Sequence, residues 1–352
     1  MTPAIAADPA LVGLAQRLAD RAGRGAALSL LRLDGGRNNR VYRVAMQDGP
    51  PLALKSYFSD PRDPRDRLAA EWGFLRLAWR RGVRSIPEPI AADPPDHAAL
   101  YGFVAGRKLD PGAIGAAEVD AAADFVLAVN AAPRDCLALA PASEACFSLE
   151  DHLATVARRV ARLDALDPDA PLREAAERLV ATLLAPVWRD VAREVAAAAA
   201  REGIDPAATL PASACCLSPS DFGFHNALAA DGVERTDPVA LTFLDFEYAG
   251  RDDPAKLVCD FFCQPEIPVP LAHFDRFLAR LGDGLGLDGR DLARCRLLRD
   301  AYRVKWACIM LNEFLPLGAS RRAFADQESW RARGAAQLRK AEAILSAAAT
   351  PS

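Results

Sequence analysis

The sequence lacks the features of several large protein classes. No stretch approaches the roughly 20 consecutive apolar residues that a membrane-spanning helix needs, and no charged start followed by an apolar run marks a secretion signal. The formal net charge is only −4 over 352 residues, and no basic cluster is interleaved with aromatic residues. We therefore expect a cytoplasmic protein that binds neither membranes nor nucleic acid.

Cysteine-based sites and the P-loop are also missing from the pattern. The eight cysteines form no CxxC pair, and no histidine is spaced to complete a zinc site with them. Because 51% of the residues are hydrophobic, the chain can bury a large core without disulfides, and we expect reduced cysteines in apolar surroundings. No Gly-x-x-x-x-Gly-Lys-Ser/Thr sequence occurs, which excludes the P-loop class.

The predicted elements change from strands to helices along the chain. Alternating apolar residues between turn signals predict strands, and apolar residues at helical spacing predict helices. The first part contains predicted helices at 9–23 and 63–81 and predicted strands at 27–33, 40–46, 51–58, 87–93 and 97–106. The later part contains predicted helices at 116–131, 149–166, 172–201, 254–264, 271–282, 289–313 and 322–348. We predict an α+β fold with a small β-rich N-lobe at 1–105 and a larger, mainly helical C-lobe at 106–352.

A short β-rich island interrupts the helical part and carries polar residues after apolar runs. Asp221 and Asn226 stand in Ser-Asp-Phe-Gly-Phe-His-Asn, and Asp245 follows the apolar run of the next strand. Each alone is typical of a turn. A carboxylate inside Phe-Leu-Asp-Phe-Glu-Tyr, however, is costly unless it has a partner or a metal. Together these oxygen ligands suit Mg²⁺.

The β-rich part supplies groups that can bind phosphate. Gly35 and Gly36 lie between two predicted strands, where their amides can approach an anion closely. Lys55 lies in the third strand, and Glu71 follows sixteen residues later on the predicted helix. A strand lysine held by a helix glutamate clamps nucleotide phosphates in kinases. By strand alternation alone, Lys55 is equally compatible with a solvated face.

The order of these residues resembles the aminoglycoside phosphotransferase and choline kinase superfamily, which shares the protein-kinase-like fold. The resemblance runs from about Leu28 to the C-terminal helices, and it is most specific in Ser-Pro-Ser-Asp-Phe-Gly-Phe-His-Asn and Leu-Asp-Phe-Glu-Tyr-Ala-Gly. It implies that Asp221 is the catalytic aspartate and that Asn226 and Asp245 hold Mg²⁺. Glu247 matches an acidic position that assists a second metal.

The resemblance also implies a nucleotide site. Lys55 matches the phosphate-clamping lysine and Glu71 its helix partner, and the stretch containing Gly35, Gly36 and Asn39 matches the nucleotide loop. The connector at 103–106, with Phe103 and Ala105, is expected to contact the nucleobase. ATP is the expected phosphate donor, with GTP as the alternative.

One departure from the superfamily pattern precedes the catalytic aspartate. Pro219-Ser220 stands where the superfamily has His-Gly, so the motif is a Ser-Pro-Ser-Asp variant. A structural hydrogen bond is expected of His225. Asp260, on an apolar helix, is expected to hold the catalytic-loop backbone.

The predicted function is transfer of a nucleotide γ-phosphate to a hydroxyl of a small molecule, either a sugar, an amino alcohol or an aminoglycoside-like acceptor. The alternative from another class is a nucleotide-binding pseudokinase or scaffold without transfer activity, which the Pro219-Ser220 variant favours. A helical structural protein with accidental motif matches is the third hypothesis. The sequence leaves the acceptor and the oligomeric state open.

Overall fold

The computed structural model describes residues 8–33, 39–59, 63, 65–132, 137–230, 239–316 and 327–348. Gly35 and Gly36 lie outside the described residues. The chain forms two compact units, one made of residues 1–143 and 217–251 and the other of 144–216 and 252–352. The division into lobes at residues 105 and 106 stays a prediction.

The first unit contains a five-stranded antiparallel sheet in the order β1-β2-β3-β5-β4. Its strands are β1 (Ala27–Leu33), β2 (Arg40–Met46), β3 (Leu52–Ser56), β4 (Pro89–Asp93) and β5 (Ala98–Gly102). All five predicted strands are confirmed. Helix α1 (Pro9–Arg21) packs against this sheet.

Strand register decides which face each side chain of the sheet occupies. Leu54 pairs with Tyr42 and Leu100, and these three belong to the apolar core that also includes residues of α1. Lys55 pairs instead with Val41 and Ala99, so it points to the opposite face. Lys55 is nevertheless only 7% exposed, which excludes the solvated position that strand alternation allowed.

Helix α2 (Arg67–Arg80) follows β3. The carboxylate of Asp66 accepts a hydrogen bond from the amide of Ala69 at 2.9 Å and caps the helix. The helix therefore begins four residues after the predicted start at 63. Glu71, one turn into α2, is 3% exposed.

The rest of the first unit brings the β-rich island together. A three-stranded antiparallel sheet pairs β8 (Ala227–Ala229) with both β6 (Arg107–Lys108) and β9 (Leu241–Phe243). Stacked rings join this island to α2 and α3 (Ala116–Val129), since Phe74 stacks on Phe246 and Phe125 on Phe243, both at 4.5 Å. Two further short strands are β7 (Cys216–Ser218) and β10 (Gly250–Asp252).

The second unit is helical. Its helices are α4 (Leu149–Arg162), α5 (Arg173–Leu179), α6 (Ala185–Arg201), α7 (Pro254–Cys263), α8 (Phe274–Leu285), α9 (Gly289–Leu311) and α10 (Gln327–Ala348). Helix α9 packs against α4, α6, α7, α8 and α10. The single helix predicted at 172–201 is broken by a π-helical segment, Val180–Leu184, before Pro186 opens α6.

Two expectations drawn from composition can be compared with the described part of the chain. Its cysteines are all free and buried, as expected. None of the helices described is at once long enough and apolar enough to cross a membrane.

Candidate active site

A buried lysine joins two carboxylates in the first unit. Lys55 Nζ donates to Glu71 Oε2 and to Asp245 Oδ1, both at 2.6 Å. Strand β3 presents the lysine, α2 the glutamate, and the segment after β9 the aspartate. The three residues are therefore neighbours in space, as predicted for a kinase phosphate clamp.

The charge of this lysine is stabilised by its partners. Burial alone lowers the pKa of Lys55, but the negative charges of Glu71 and Asp245 and their hydrogen bonds outweigh burial and raise that pKa above its ordinary value. Lys55 thus carries a fixed positive charge at neutral pH. The side chain of Asp245 is 39% exposed whereas that of Glu71 is 4% exposed, so Asp245 is the partner that a ligand can reach.

The two candidate metal residues lie on paired chain segments. The amide of Leu244 donates to the carbonyl of Asn226 at 2.8 Å, which continues the ladder between β8 and β9. Asn226 Nδ2 donates to the carbonyl of Asp221 at 3.0 Å, so its Oδ1 faces away from that bond. Asp245 itself has a left-handed backbone with φ of 64°, a conformation that costs free energy in a residue other than glycine.

Asp221, the candidate catalytic residue, is held by its own loop. His225 Nε2 lies 3.2 Å from Asp221 Oδ1, which gives His225 the structural hydrogen bond expected of it. Nδ1 of His225 is buried and has no hydrogen-bond partner among the described atoms. Since Nε2 contacts a carboxylate, it carries the imidazole proton.

The variant residues before Asp221 keep a glycine-like backbone. Ser220 has φ of 67°, in the left-handed region that glycine adopts at little cost. Its amide donates to Ser218 Oγ at 3.1 Å. The loop therefore needs, at position 220, the conformation for which the superfamily uses glycine.

Glu247 is buried and has partners on two other segments. Its Oε2 accepts a hydrogen bond from Asn39 Nδ2 at 2.7 Å and lies 3.4 Å from Arg67 Nε. Asn39 also accepts, through Oδ1, from the amide of Phe58 at 3.3 Å. Asn39 and Glu247 therefore hold the start of β2 against the segment after Asp245. The metal-assisting role of Glu247 stays a prediction.

The connector after β5 comes close to the island sheet. The guanidinium of Arg43 lies over the ring of Phe103, 5.3 Å from its centre. A Cβ added at Gly106, whose φ is 159°, would lie only 2.6 Å from the carbonyl oxygen of Ala229. Glycine is therefore required where the connector passes β8. Ala105 is exposed, and nucleobase contact by Phe103 and Ala105 stays a prediction.

Whether these residues suit Mg²⁺ depends on the donor atoms. In the described ranges, no group of three or more His, Cys, Asp or Glu side chains is placed to hold a metal ion. Mg²⁺ typically needs only one or two carboxylates from the protein, because waters and phosphate oxygens complete its shell. An exposed carboxylate at Asp245 and an amide oxygen at Asn226 fit that requirement.

Comparison with solved structures identifies the fold. A spectinomycin phosphotransferase, solved with ADP and spectinomycin, gives a TM-score of 0.60 at 12% identity, over 94% of this chain and 98% of its own. For a choline kinase from Cryptosporidium parvum Iowa II, the TM-score is 0.56 at 12% identity, over 96% of both chains. This chain has the fold of small-molecule kinases.

A macrolide 2'-phosphotransferase from Brachybacterium faecium supports the same conclusion, with a TM-score of 0.54 at 19% identity over 94% of this chain and 98% of its own. The sequence matches no protein-family model and no curated protein. The predicted kinase-like α+β fold, and the resemblance that implied it, are thereby confirmed for the fold.

Outside this kinase-like site, one sequence expectation is wrong. Asp260 was expected to hold the catalytic-loop backbone, but its carboxylate accepts from Lys305 Nζ at 2.9 and 2.8 Å and from Trp306 Nε1 at 2.9 Å. The reason is charge, because a carboxylate that is 2% exposed takes the buried cation beside it, and Lys305 is 4% exposed. No sequence spacing indicated that pair.

Sequence reasoning also missed Tyr57, whose hydroxyl donates to Glu71 Oε2 at 2.9 Å. Its position two residues after Lys55 on the same strand face was the available signal. A surface cavity of about 300 Å³ in the second unit contains none of the predicted site residues; it is lined by Glu202, Ile204, Asp288, Gly289, Arg290 and Ala293.

Proposed function

We propose that this protein is a phosphotransferase that moves the γ-phosphate of ATP to a hydroxyl group of a small molecule. The observation that carries the proposal is the position of Lys55, whose ammonium contacts both Glu71 and Asp245 at 2.6 Å. Phosphoryl transfer depends on positioned positive charge and on an oriented acceptor. A surface ion pair contributes little to stability, but a buried lysine shared with a partly exposed carboxylate is suited to binding phosphate.

In the proposed reaction, Lys55 binds the α- and β-phosphates while Glu71 holds the lysine in place. Asp221 accepts a hydrogen bond from the acceptor hydroxyl and orients its oxygen toward the γ-phosphorus. A bond forms between that oxygen and phosphorus as the bond to the β-phosphate oxygen breaks, and the proton passes late to Asp221 because the transition state is loose. His225 keeps the Asp221 carboxylate in one orientation.

Asp245 Oδ2 and Asn226 Oδ1 are the atoms we assign to Mg²⁺, with Glu247 as the candidate for a second ion. When bound, the metal neutralises charge on the phosphate oxygens. Asn226 supports this assignment because its Nδ2 is engaged by the Asp221 carbonyl, which directs the amide oxygen outward. ATP is the proposed donor, with GTP as the alternative.

For the acceptor, we propose a sugar, an amino alcohol or an aminoglycoside-like compound. The structural neighbours are named for spectinomycin, choline, ethanolamine and macrolide substrates, which span these chemical classes. The proposed lobes are residues 1–105 for the nucleotide and 106–352 for catalysis and acceptor binding.

The test is an ADP-release screen with Mg²⁺ and ATP or GTP over sugars, amino alcohols and aminoglycosides. Mass spectrometry would show a phosphate added to the acceptor. Asp221→Asn and Asp245→Asn should each abolish transfer in folded protein. Near-wild-type transfer by either variant would contradict the assignment of that residue.

The second candidate is a nucleotide-binding pseudokinase, and Pro219-Ser220 before Asp221 favours it. Such a protein would be stabilised against heat by Mg²⁺ and ATP but would phosphorylate no acceptor in the screen. Absence of any nucleotide-induced stabilisation would contradict both candidates and would favour the structural-protein hypothesis.

A further inference from the structure

Two buried tyrosines extend the Lys55–Glu71 contact toward the connector. Tyr57 and Tyr101 are 6% and 4% exposed, and their hydroxyl oxygens lie 2.7 Å apart. Tyr57 also donates to Glu71 Oε2 at 2.9 Å. Tyr101 belongs to β5, one position before its end.

The direction of each hydrogen bond follows from the number of protons available. A carboxylate oxygen only accepts, so the single hydroxyl proton of Tyr57 is used on Glu71. Tyr101 must therefore donate to the oxygen of Tyr57. Burial raises the pKa of both phenols well above its ordinary value, so both remain donors at neutral pH.

Glu71 Oε2 consequently accepts from two directions, from the lysine ammonium and from the Tyr57 hydroxyl. Glutamate has three rotatable side-chain bonds, and a single ion pair leaves part of that freedom. A second donor from a rigid aromatic side chain fixes the oxygen. The ammonium of Lys55 also lies 5.1 Å from the centre of the Tyr57 ring, so the same residue borders both members of the pair.

Packing alone does not account for two hydroxyl groups at this point. Phenylalanine fills nearly the same volume and avoids burying polar atoms, which cost free energy unless they are hydrogen-bonded. Tyr42, in the neighbouring strand β2, is similarly buried at 7% but belongs to the apolar core on the opposite face. It therefore offers a matched comparison on the same sheet.

We propose that Tyr57 is a positioning residue for phosphate binding: it fixes Glu71 so that the Lys55 ammonium stays directed at the nucleotide phosphates. Tyr101 acts through Tyr57 by orienting its hydroxyl. This inference rests on the proposed function, since it assigns a further residue to the same site.

The test compares Tyr57→Phe, Tyr101→Phe, the double variant and the control Tyr42→Phe. Calorimetry at a temperature where every variant is folded gives the Kd for Mg²⁺·ATP and for adenosine, which has no phosphates. Tyr57→Phe should weaken Mg²⁺·ATP binding about tenfold and Tyr101→Phe about threefold, as expected for losing a hydrogen bond to a charged and to a neutral group. The double variant should equal Tyr57→Phe, because the two residues act in series.

Adenosine affinity should be unchanged in all four variants, whereas a general structural defect would lower it together with that of Mg²⁺·ATP. Wild-type protein that binds no Mg²⁺·ATP overturns the proposed function and this inference with it. Wild-type binding together with an unchanged Kd in Tyr57→Phe overturns the positioning role alone. If Tyr57→Phe does not fold, Tyr101→Phe decides in the same way.

Discussion

Lys55 Nζ and Asp245 Oδ1 lie 2.6 Å apart although 190 positions separate the two residues in the sequence. This contact ties the five-stranded sheet to the segment after β9 within the first unit. It also leaves Glu71, the other partner of Lys55, dependent on that lysine, because the Glu71 side chain is 4% exposed.

The first prediction concerns Lys55→Ala. Phosphate transfer should fall at least about 100-fold, since a positioned charge at the reacting phosphates is lost. The free energy of unfolding should fall by about 3–5 kcal/mol, because Glu71 is left buried without its cation. Steady-state kinetics and denaturant unfolding measure the two effects.

Lys340→Ala is the matched control for that variant. Lys340 Nζ pairs with Glu266 at 2.8 Å, but both side chains are about one third exposed, at 33% and 34%. Its loss should change stability by less than about 1 kcal/mol and leave transfer unchanged. Equal losses of stability in the two variants would contradict a buried role for Lys55.

Much of this arrangement was predictable because local pattern determines it. Alternation of apolar residues fixed the strands, and the spacing of Lys55, Glu71 and Asp245 indicated their partnership. Burial of Lys55 was not predictable from alternation, since Leu54 and Lys55 lie on opposite faces that are both covered. The partners of Asp260 depend on long-range packing of α7 against α9, which no short motif encodes.

The second prediction is that Ser220→Gly stabilises the protein. A residue other than glycine loses about 1–2 kcal/mol in the left-handed region, and Ser220 has φ of 67°. The variant should gain about 1 kcal/mol and keep full transfer activity, as measured by thermal and denaturant unfolding. Ser56→Gly, at a strand position without a positive φ, should lose stability instead. A loss in Ser220→Gly as large as that in Ser56→Gly would contradict the strain argument.

The third prediction separates orientation from binding at Asp221. His225 Nε2 contacts Asp221 Oδ1 at 3.2 Å, so His225→Phe should lower kcat about tenfold through the lost hydrogen bond to a charged group. The KM for the nucleotide should not change. His225→Gln keeps a donor nitrogen at similar reach and should recover most of the activity.

His273→Phe, a histidine replacement in the second unit, is the control and should leave kcat and KM unchanged. Two results would show that His225 does not orient the carboxylate. One is a rise in nucleotide KM without a fall in kcat. The other is a His225→Gln variant as slow as His225→Phe.

The last prediction concerns pH and a buried histidine in the second unit. His152 is fully buried, with Nδ1 2.7 Å from the Tyr302 hydroxyl and Nε2 3.1 Å from Asp253 Oδ2. Burial alone lowers the pKa of His152, but the hydrogen bond and charge of Asp253 outweigh it and raise the pKa to about 9. Arg294 donates two further hydrogen bonds of 3.0 Å to Asp253 and keeps that carboxylate charged.

Because the pKa of His152 is raised on folding from its ordinary 6.5 to about 9, its contribution to stability is fully present below pH 6.5 and is lost as pH rises to 9. The difference corresponds to roughly 3 kcal/mol. Denaturant unfolding at pH 6, 7, 8 and 9 should show this decline, and His152→Gln should be less stable at pH 6 and nearly flat. Thiol ionisation does not confuse the result, since burial raises the pKa of Cys259 and Cys295 beyond this range. Wild-type stability that stays level or increases from pH 7 to 9 would show that the histidine is neutral in the folded protein.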